Sequence, residues 1–369
     1  MKRRDFVSAL GVGAVGAAIT GCAPKTQECV NTGSNSQQQI RWKMVTSWPK
    51  NFPGLGTAPE RFADFVKKMS NGRLEIKVYG ANELVPAMGV FDAVSGGTAE
   101  VGHSGAYYWK GKAVAAQFFT SVPFGLTAQE MNGWLLHGGG LALWEELYAR
   151  YDLVPIPGGN TGVQMAGWFN KEINSLADLQ GVKMRIPGLG GEVFKAASGT
   201  AVTIPGGEIF TSLQTGVIDA AEWVGPFNDL VIGFHQVAKY YYYPGWHETG
   251  PTLECIVNKE AFDSLPPDLQ AIVEIAASAT NDQMLAEFMA RNAFALTEIE
   301  QMEDVKILPF PDDVMTALEQ ASDEIIAEIS ARDEKFKTIY QSFLGYMNTV
   351  SKWTEISEFA MLANRYKKD

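Results

Sequence analysis

Four polar side chains of the kinds that hold small ions stand at or near the ends of strand-like segments. Gln164 lies in Gly162-Val-Gln-Met-Ala-Gly-Trp168, which reads as a strand. Arg185 closes the strand-like run Val182-Lys-Met-Arg-Ile186, which Pro187-Gly188 stops. Glu222-Trp223 ends the stretch that begins at Leu213, and Glu248 follows the aromatic run Tyr240-Tyr-Tyr-Tyr-Pro-Gly-Trp-His. In open α/β sheets ligands bind beyond the carboxyl ends of strands. An arginine there suits a carboxylate, because its planar fork donates two parallel hydrogen bonds. Each residue also has a plainer reading: Arg185 in a surface ion pair, Glu222 as a strand-end cap, Glu248 solvated, Gln164 satisfying backbone groups. The pattern alone leaves both readings open.

Catalytic spacings are missing from the sequence. The histidines His103, His137, His235 and His247 form neither a His-x-x-x-His pair nor a His-Glu-x-x-His zinc site. There is no Gly-x-Ser-x-Gly nucleophile elbow. Pro187-Gly-Leu-Gly-Gly191 lacks the spacing of a dinucleotide or phosphate loop and reads as a turn before a helix. The chain is therefore expected not to be an enzyme.

The elements that must position these residues begin after a lead of about 39 residues. Residues 1–22 run from Lys2-Arg-Arg4 through an apolar Gly/Ala-rich segment to Thr20-Gly-Cys22, the order of a secretory signal. The apolar run is shorter than the ~20 residues that span a bilayer. Arg3-Arg4 before Asp5-Phe6 resembles a twin-arginine export signal, and Ile19-Thr-Gly-Cys22 resembles a lipobox in which Cys22 is lipidated. Residues 23–39 are polar and read as a flexible tether. Only Cys29 and Cys255 remain, too few for a disulfide framework. The net charge of −12 repels nucleic acid and anionic lipid, so nucleic-acid binding is set aside.

The chain has 369 residues; at roughly 100–200 residues per domain, two domains are expected. Ile40–Val45 and Leu74–Tyr79 alternate with period two, and Phe62, Phe65, Val66 and Met69 between them keep helical spacing. This is the rhythm of an α/β domain. A second α/β stretch starts near Tyr151. Helix dominates from Ser264 onward, interrupted by a short strand at Val305–Leu308. The boundaries read as domain I over 40–160 with a return at about 250–300, domain II over 161–249 with about 301–312, and a helical region over 313–369. The apolar positions of that last region fit either packing on the parent domain or a dimer contact. Tyr107, Tyr108 and Trp109 belong to domain I and are placed either to close over a ligand or to pack in the core.

Three stretches carry a resemblance: Asn174-Ser-Leu-Ala-Asp-Leu-Gln-Gly-Val-Lys-Met-Arg-Ile-Pro-Gly188, Glu208-Ile-Phe-Thr-Ser-Leu-Gln-Thr-Gly-Val-Ile-Asp219 and Val122-Pro-Phe-Gly125. With them, residues 40–369 resemble the solute-binding proteins of the tripartite ATP-independent periplasmic (TRAP) transporters. Asn160-Thr-Gly-Val-Gln-Met165 and Ala221-Glu-Trp223 are closer still to the branch that binds 2-oxo acids such as pyruvate, or lactate. The resemblance implies a two-domain α/β binding-protein fold with a ligand cleft between domains, a long C-terminal helix that can swap in a homodimer, and delivery of a small organic carboxylate to membrane permease subunits. It further implies that Gln164 and Arg185 hold the ligand. Glu222, the Trp223 carbonyl, Glu248 and again Gln164 would hold a metal cation, Na⁺ or Ca²⁺. Trp223 and Tyr108 are assigned to the ligand as well. Two glutamates and a substrate carboxylate against one arginine leave two uncompensated charges, which burial penalises by several kcal/mol without a cation. All the proposed donors are oxygens, which suits a hard ion. Dicarboxylate or sugar-acid specificity, an exported enzyme, and a receptor feeding a signalling system are the alternatives.

Overall fold

The computed structural model describes residues 39–367. The export segment 1–22 with Cys22, and all of the 23–39 tether except residue 39, lie outside the described residues.

Among the described residues the strands build two sheets. The first holds β1 (Ile40–Thr46), β2 (Leu74–Tyr79), β3 (Val101–Ser104), β4 (Leu153–Asn160) and β10 (Thr252–Asn258), in the order β2-β1-β3-β10-β4. The second holds β5 (Gly167–Phe169), β6 (Lys183–Arg185), β7 (Thr200–Val202), β8 (Ala220–Ala221), β9 (Tyr240–Tyr243) and β11 (Lys306–Pro309), in the order β11-β9-β5-β8-β6-β7. Each sheet is mixed: β10 runs antiparallel to β3 and β4, and β5 antiparallel to β8 and β9.

Local chemistry explains the first unit. The helix Thr57–Met69 buries Ala58, Phe62, Ala63 and Val66 on one face, with Lys67 and Lys68 in its last turn opposing the helix dipole. Burying Phe62 or Val66 contributes roughly 1.5–3 kcal/mol each. Asn71 and Gly72 adopt φ of 53° and 75°, a left-handed pair that turns the chain into β2. β1 and β2 then pair in parallel from Ile40–Leu74 to Val45–Tyr79.

The chain crosses between sheets at residues 161–166, at 244–251, and along the helix Pro267–Glu300. Leu269, Val273, Ala276 and Ala277 of that helix pack in the first sheet's core. Its Met284, Phe288 and Ile299 join Trp168, Ile218 and Tyr241 of the second. One helix thus lends apolar surface to both cores.

Two sequence readings need correction. Gly162–Ala166 is not strand; β5 starts only at Gly167, and Gly162 has a φ of 72°. Alternation there belongs to a crossing segment, whose partners are non-local and so invisible to a period count. The run 187–191 is not a turn ahead of a helix either, because the helix itself spans Gly188–Ala196. Its glycines are demanded by packing: a Cβ on Gly190 would stand 2.9 Å from the Cβ of His247.

The C-terminal region is helical throughout, as Asp312–Arg332, Glu334–Thr354 and Ala360–Tyr366 with a π turn at Glu355–Phe359. Phe336, Ile339 and Phe343 are buried, with Phe336 and Phe343 against Phe118. Beyond them Trp353, Ile356, Phe359, Met361, Leu362 and Tyr366 are exposed.

Candidate functional site

Arg185 is the last residue of β6 and pairs across the parallel register with Ala221 of β8. That register brings Glu222 beside it: Glu222 N donates to Arg185 O at 3.2 Å. The guanidinium Nη1 donates to the Glu222 carbonyl at 2.9 Å and forms an ion pair with Glu222 Oε1. Nε donates to Ile204 O at 3.2 Å, and Nη2 reaches Tyr108 Oη at 3.3 Å. The guanidinium carbon lies 5.1 Å from the Trp223 ring centroid, a cation–π distance. Arg185 is therefore not a surface ion pair; it and Glu222 are each 1% exposed.

Gln164 and Glu248 lie on the two non-helical crossings. Gln164 N donates to Glu248 O at 3.1 Å, and Gln164 Nε2 donates to Glu248 Oε2 at 2.7 Å. Such proximity requires Gly245, where a Cβ would stand 2.2 Å from Gln164 O. Both side chains are buried, and Gln164 Oε1 has no hydrogen-bond partner. Burial first, then the charge of Glu222, pushes the Glu248 carboxyl well above its ordinary range.

His247 was not among the residues singled out from sequence. Its Nε2 donates to Glu222 Oε2 at 3.2 Å, while its buried Nδ1 lacks a partner. Glu222, His247 and Glu248 each offer an atom within 4.8 Å of the others. Spacing rules for zinc could not find it, because its partner is 25 residues away. Adjacency to Glu248 was the available signal.

The first sheet's side contributes aromatics. Tyr108 faces Arg185 and sits 6.3 Å from Trp48, which lies edge-on to Trp223 at 6.1 Å. Tyr107 packs on Gly188, which has a φ of 63° and a virtual Cβ 3.2 Å from the tyrosine. Trp109 points elsewhere: its Nε1 donates to buried Glu254 Oε1 at 2.5 Å. Lys110 forms an ion pair with Glu192 at 2.5 Å, and Phe124 N donates to Trp246 O at 2.7 Å. These contacts shut the site.

The residues present fit a hard cation. Gln164 Oε1 is an acceptor without a donor, and its amide nitrogen is bonded to Glu248, whose carboxylate lies with that of Glu222 in one group of atoms within 4.8 Å of one another. Oxygen donors with excess negative charge are what sodium or calcium takes.

Residues 44–333 match the family model for bacterial extracellular solute-binding protein, family 7 (DctP). The chain is 41% identical over 360 residues to a Nostoc protein called monocarboxylate 2-oxoacid-binding periplasmic protein, covering 98% of each. It is similar to a TRAP periplasmic solute-binding protein from Pseudoalteromonas atlantica, solved with bound sodium and pyruvate. There the TM-score is 0.86 at 44% identity, covering 88% of this chain and 99% of that one. A TRAP solute-binding protein from Colwellia psychrerythraea, solved with calcium and pyruvate, gives 0.86 at 44% identity, covering 89% and 100%. This chain belongs to family 7 of the bacterial extracellular solute-binding proteins, as a solute receptor of the TRAP type rather than an enzyme.

Proposed function

We propose that this receptor takes a small 2-oxo or 2-hydroxy monocarboxylate of pyruvate's size, together with sodium or calcium, and passes it to TRAP permease subunits in the membrane. The observation that carries the reading is the buried group of Arg185, Glu222, Glu248 and the unpartnered Gln164 Oε1. Arg185, through Nη2, and the Tyr108 hydroxyl hold the substrate carboxylate. Glu222, Glu248, Gln164 Oε1 and the Trp223 carbonyl hold the cation. The cation supplies charge balance and a second anchor for the 2-oxygen of the substrate. That anchor explains a preference for 2-substituted acids over plain ones. Trp48, Tyr108 and Trp223 leave a narrow apolar wall, which suits a short side chain. Relatives solved with pyruvate and sodium or calcium support the same pairing.

Calorimetry with pyruvate, lactate and succinate tests this, in calcium, in sodium, and after exhaustive removal of both. Tight binding of pyruvate or lactate that weakens at least tenfold without cation is expected. Affinity unchanged by cation removal, or succinate bound best, overturns it.

We also propose that residues 1–21 are removed during export by the twin-arginine route and that Cys22, then the first residue, carries lipid. Cys22→Ala then moves the protein from the membrane to the soluble periplasmic fraction; a wild-type protein found only in the soluble fraction excludes the anchor. The exposed apolar residues from Trp353 to Tyr366 support a homodimer through the C-terminal helix. Sedimentation of the wild type as a monomer at micromolar concentration would rule that out.

A further inference from the structure

Asp229 sits in the helix Pro226–Ile232, behind the Glu222–Trp223 segment. It is 1% exposed, and among the described residues its side chain is held by neutral donors alone. Its Oδ2 accepts from Tyr241 Oη at 2.8 Å and from Trp168 Nε1 at 3.1 Å. Those two rings stack at 4.2 Å and 17°, so both donors reach one oxygen from adjacent strands. Its Oδ1 accepts from Val224 N at 3.3 Å.

The last bond matters because of peptide geometry. The Trp223 carbonyl and the Val224 N–H belong to one planar trans peptide and point in opposite directions. Fixing the N–H on Asp229 turns the carbonyl away from Asp229. The flanking groups hold the same segment: Glu222 N bonds to Arg185 O, and Met165 N donates to Val224 O at 3.0 Å. Hydrogen bonding to the N–H also polarises the amide and makes its oxygen a better acceptor.

We infer that Asp229 is a positioning residue for cation binding, acting by aiming the Trp223 carbonyl through the 223–224 peptide. The inference rests on the reading that this carbonyl is a cation ligand.

Asp229→Asn keeps the shape but cannot serve all three donors. Its amide oxygen goes to Trp168 and Tyr241, which leaves an NH₂ group facing the Val224 N–H. The peptide must tilt. Outer-shell partners of metal ligands typically contribute about 10–100-fold in metal affinity. Tyr241→Phe is the control: it removes a donor from the same carboxylate, and so weakens the packing, but leaves the Val224 bond.

The experiment is calcium titration of the full chain at saturating pyruvate, by calorimetry, alongside thermal melts. Asp229→Asn is expected to lose about tenfold or more in calcium affinity, while Tyr241→Phe stays within about twofold despite a lower melting temperature. Equal calcium affinity in Asp229→Asn and wild type overturns the inference alone. Equal losses in both variants reduce Asp229 to a structural role and overturn it as well. A wild type without cation dependence overturns the underlying reading and this inference together. Should Asp229→Asn fail to fold, Asp229→Ser, which is too short to hold Val224 N, carries the same expectations.

Discussion

Arg185 grips Glu222 twice, by its side-chain and its main-chain oxygen, in a site shut from water. The pair is therefore neutral before any ligand is considered. Glu248 is the acid left without a cationic partner, which fits its upward-shifted carboxyl. A substrate anion entering this site adds charge that Arg185 alone cannot balance. This is the physical case for a cation.

Arg185→Met should abolish ligand binding, with a loss of at least a hundredfold in Kd. Truncating one member of a buried, hydrogen-bonded charge pair costs about 2–5 kcal/mol. The melting temperature should also fall, because Glu222 is left buried. Arg185→Lys keeps the charge without the fork and should fall between. Calorimetry and melts of the two variants check this; micromolar binding by Arg185→Met would remove the residue from the site.

Glu248→Gln removes one negative charge and keeps the oxygen. Calcium should lose more from this change than sodium, since a divalent ion gains more from each carboxylate. The ratio of calcium to sodium affinity should drop by roughly tenfold, about 1.4 kcal/mol. Competition titrations read that ratio, and an unchanged value would place Glu248 outside the cation site.

Lys110 and Glu192 link the two walls with both side chains about one-third exposed. Such pairs contribute about 0.2–1 kcal/mol. Lys110→Met should raise the ligand off-rate by up to about fivefold with little change in on-rate. The difference should shrink in high salt. Stopped-flow fluorescence, using the tryptophans of the cleft, measures both rates.

Glu254 gives a pH prediction. Burial raises its carboxyl from 4.5 to about 7, against the hydrogen bonds of Trp109 and Tyr148. The folded protein holds this proton up to about pH 7, and the unfolded chain releases it near pH 4.5. Stability from this group is thus complete below pH 4.5 and is lost as pH rises to about 7, on the order of 3 kcal/mol. Glu254→Gln retains both bonds, since its oxygen accepts from Trp109 and its NH₂ donates to Tyr148. Its melting temperature should decline less than the wild type's between pH 5 and 8. Parallel slopes would refute the assignment. Asp229, raised to about 7 by burial, titrates with the same sign in both proteins and cancels in the comparison.

Arg185, Glu222 and Glu248 drew notice in the sequence because they stood at the ends of strand-like or aromatic runs, but only the resemblance to the TRAP receptors, not that pattern, gave them roles. Their partnership was not legible. Arg185 and Glu222 meet only because β6 lies beside β8 in parallel register, a pairing 36 residues apart in the chain. Gln164 was recognised but misplaced in a strand, since alternation cannot distinguish a crossing from a sheet. His247 was passed over for lack of metal spacing, and Asp229 carried no local signal. Trp109 was grouped with Tyr107 and Tyr108, whereas its indole turns inward to Glu254. The amphipathic helix Thr57–Met69 was legible from its spacing, and the start of Pro267–Glu300 from Ser264-Leu-Pro-Pro, but its end was not, because it is apolar on more than one face where it serves both cores.

The charged residues of the site, Arg185, Glu222 and Glu248, all issue from the second sheet or from the crossings that feed it. The opposite wall offers Tyr107, Tyr108 and Trp48, which carry no net charge. A division of labour follows for anyone wishing to retarget this receptor. Diversifying Tyr107 and Trp48 while keeping Tyr108, whose hydroxyl meets Arg185, should alter which side chain is accepted and leave the head-group clamp whole. Diversifying the charged wall should yield mostly silent proteins. Selectivity and grip are, in this fold, separately adjustable.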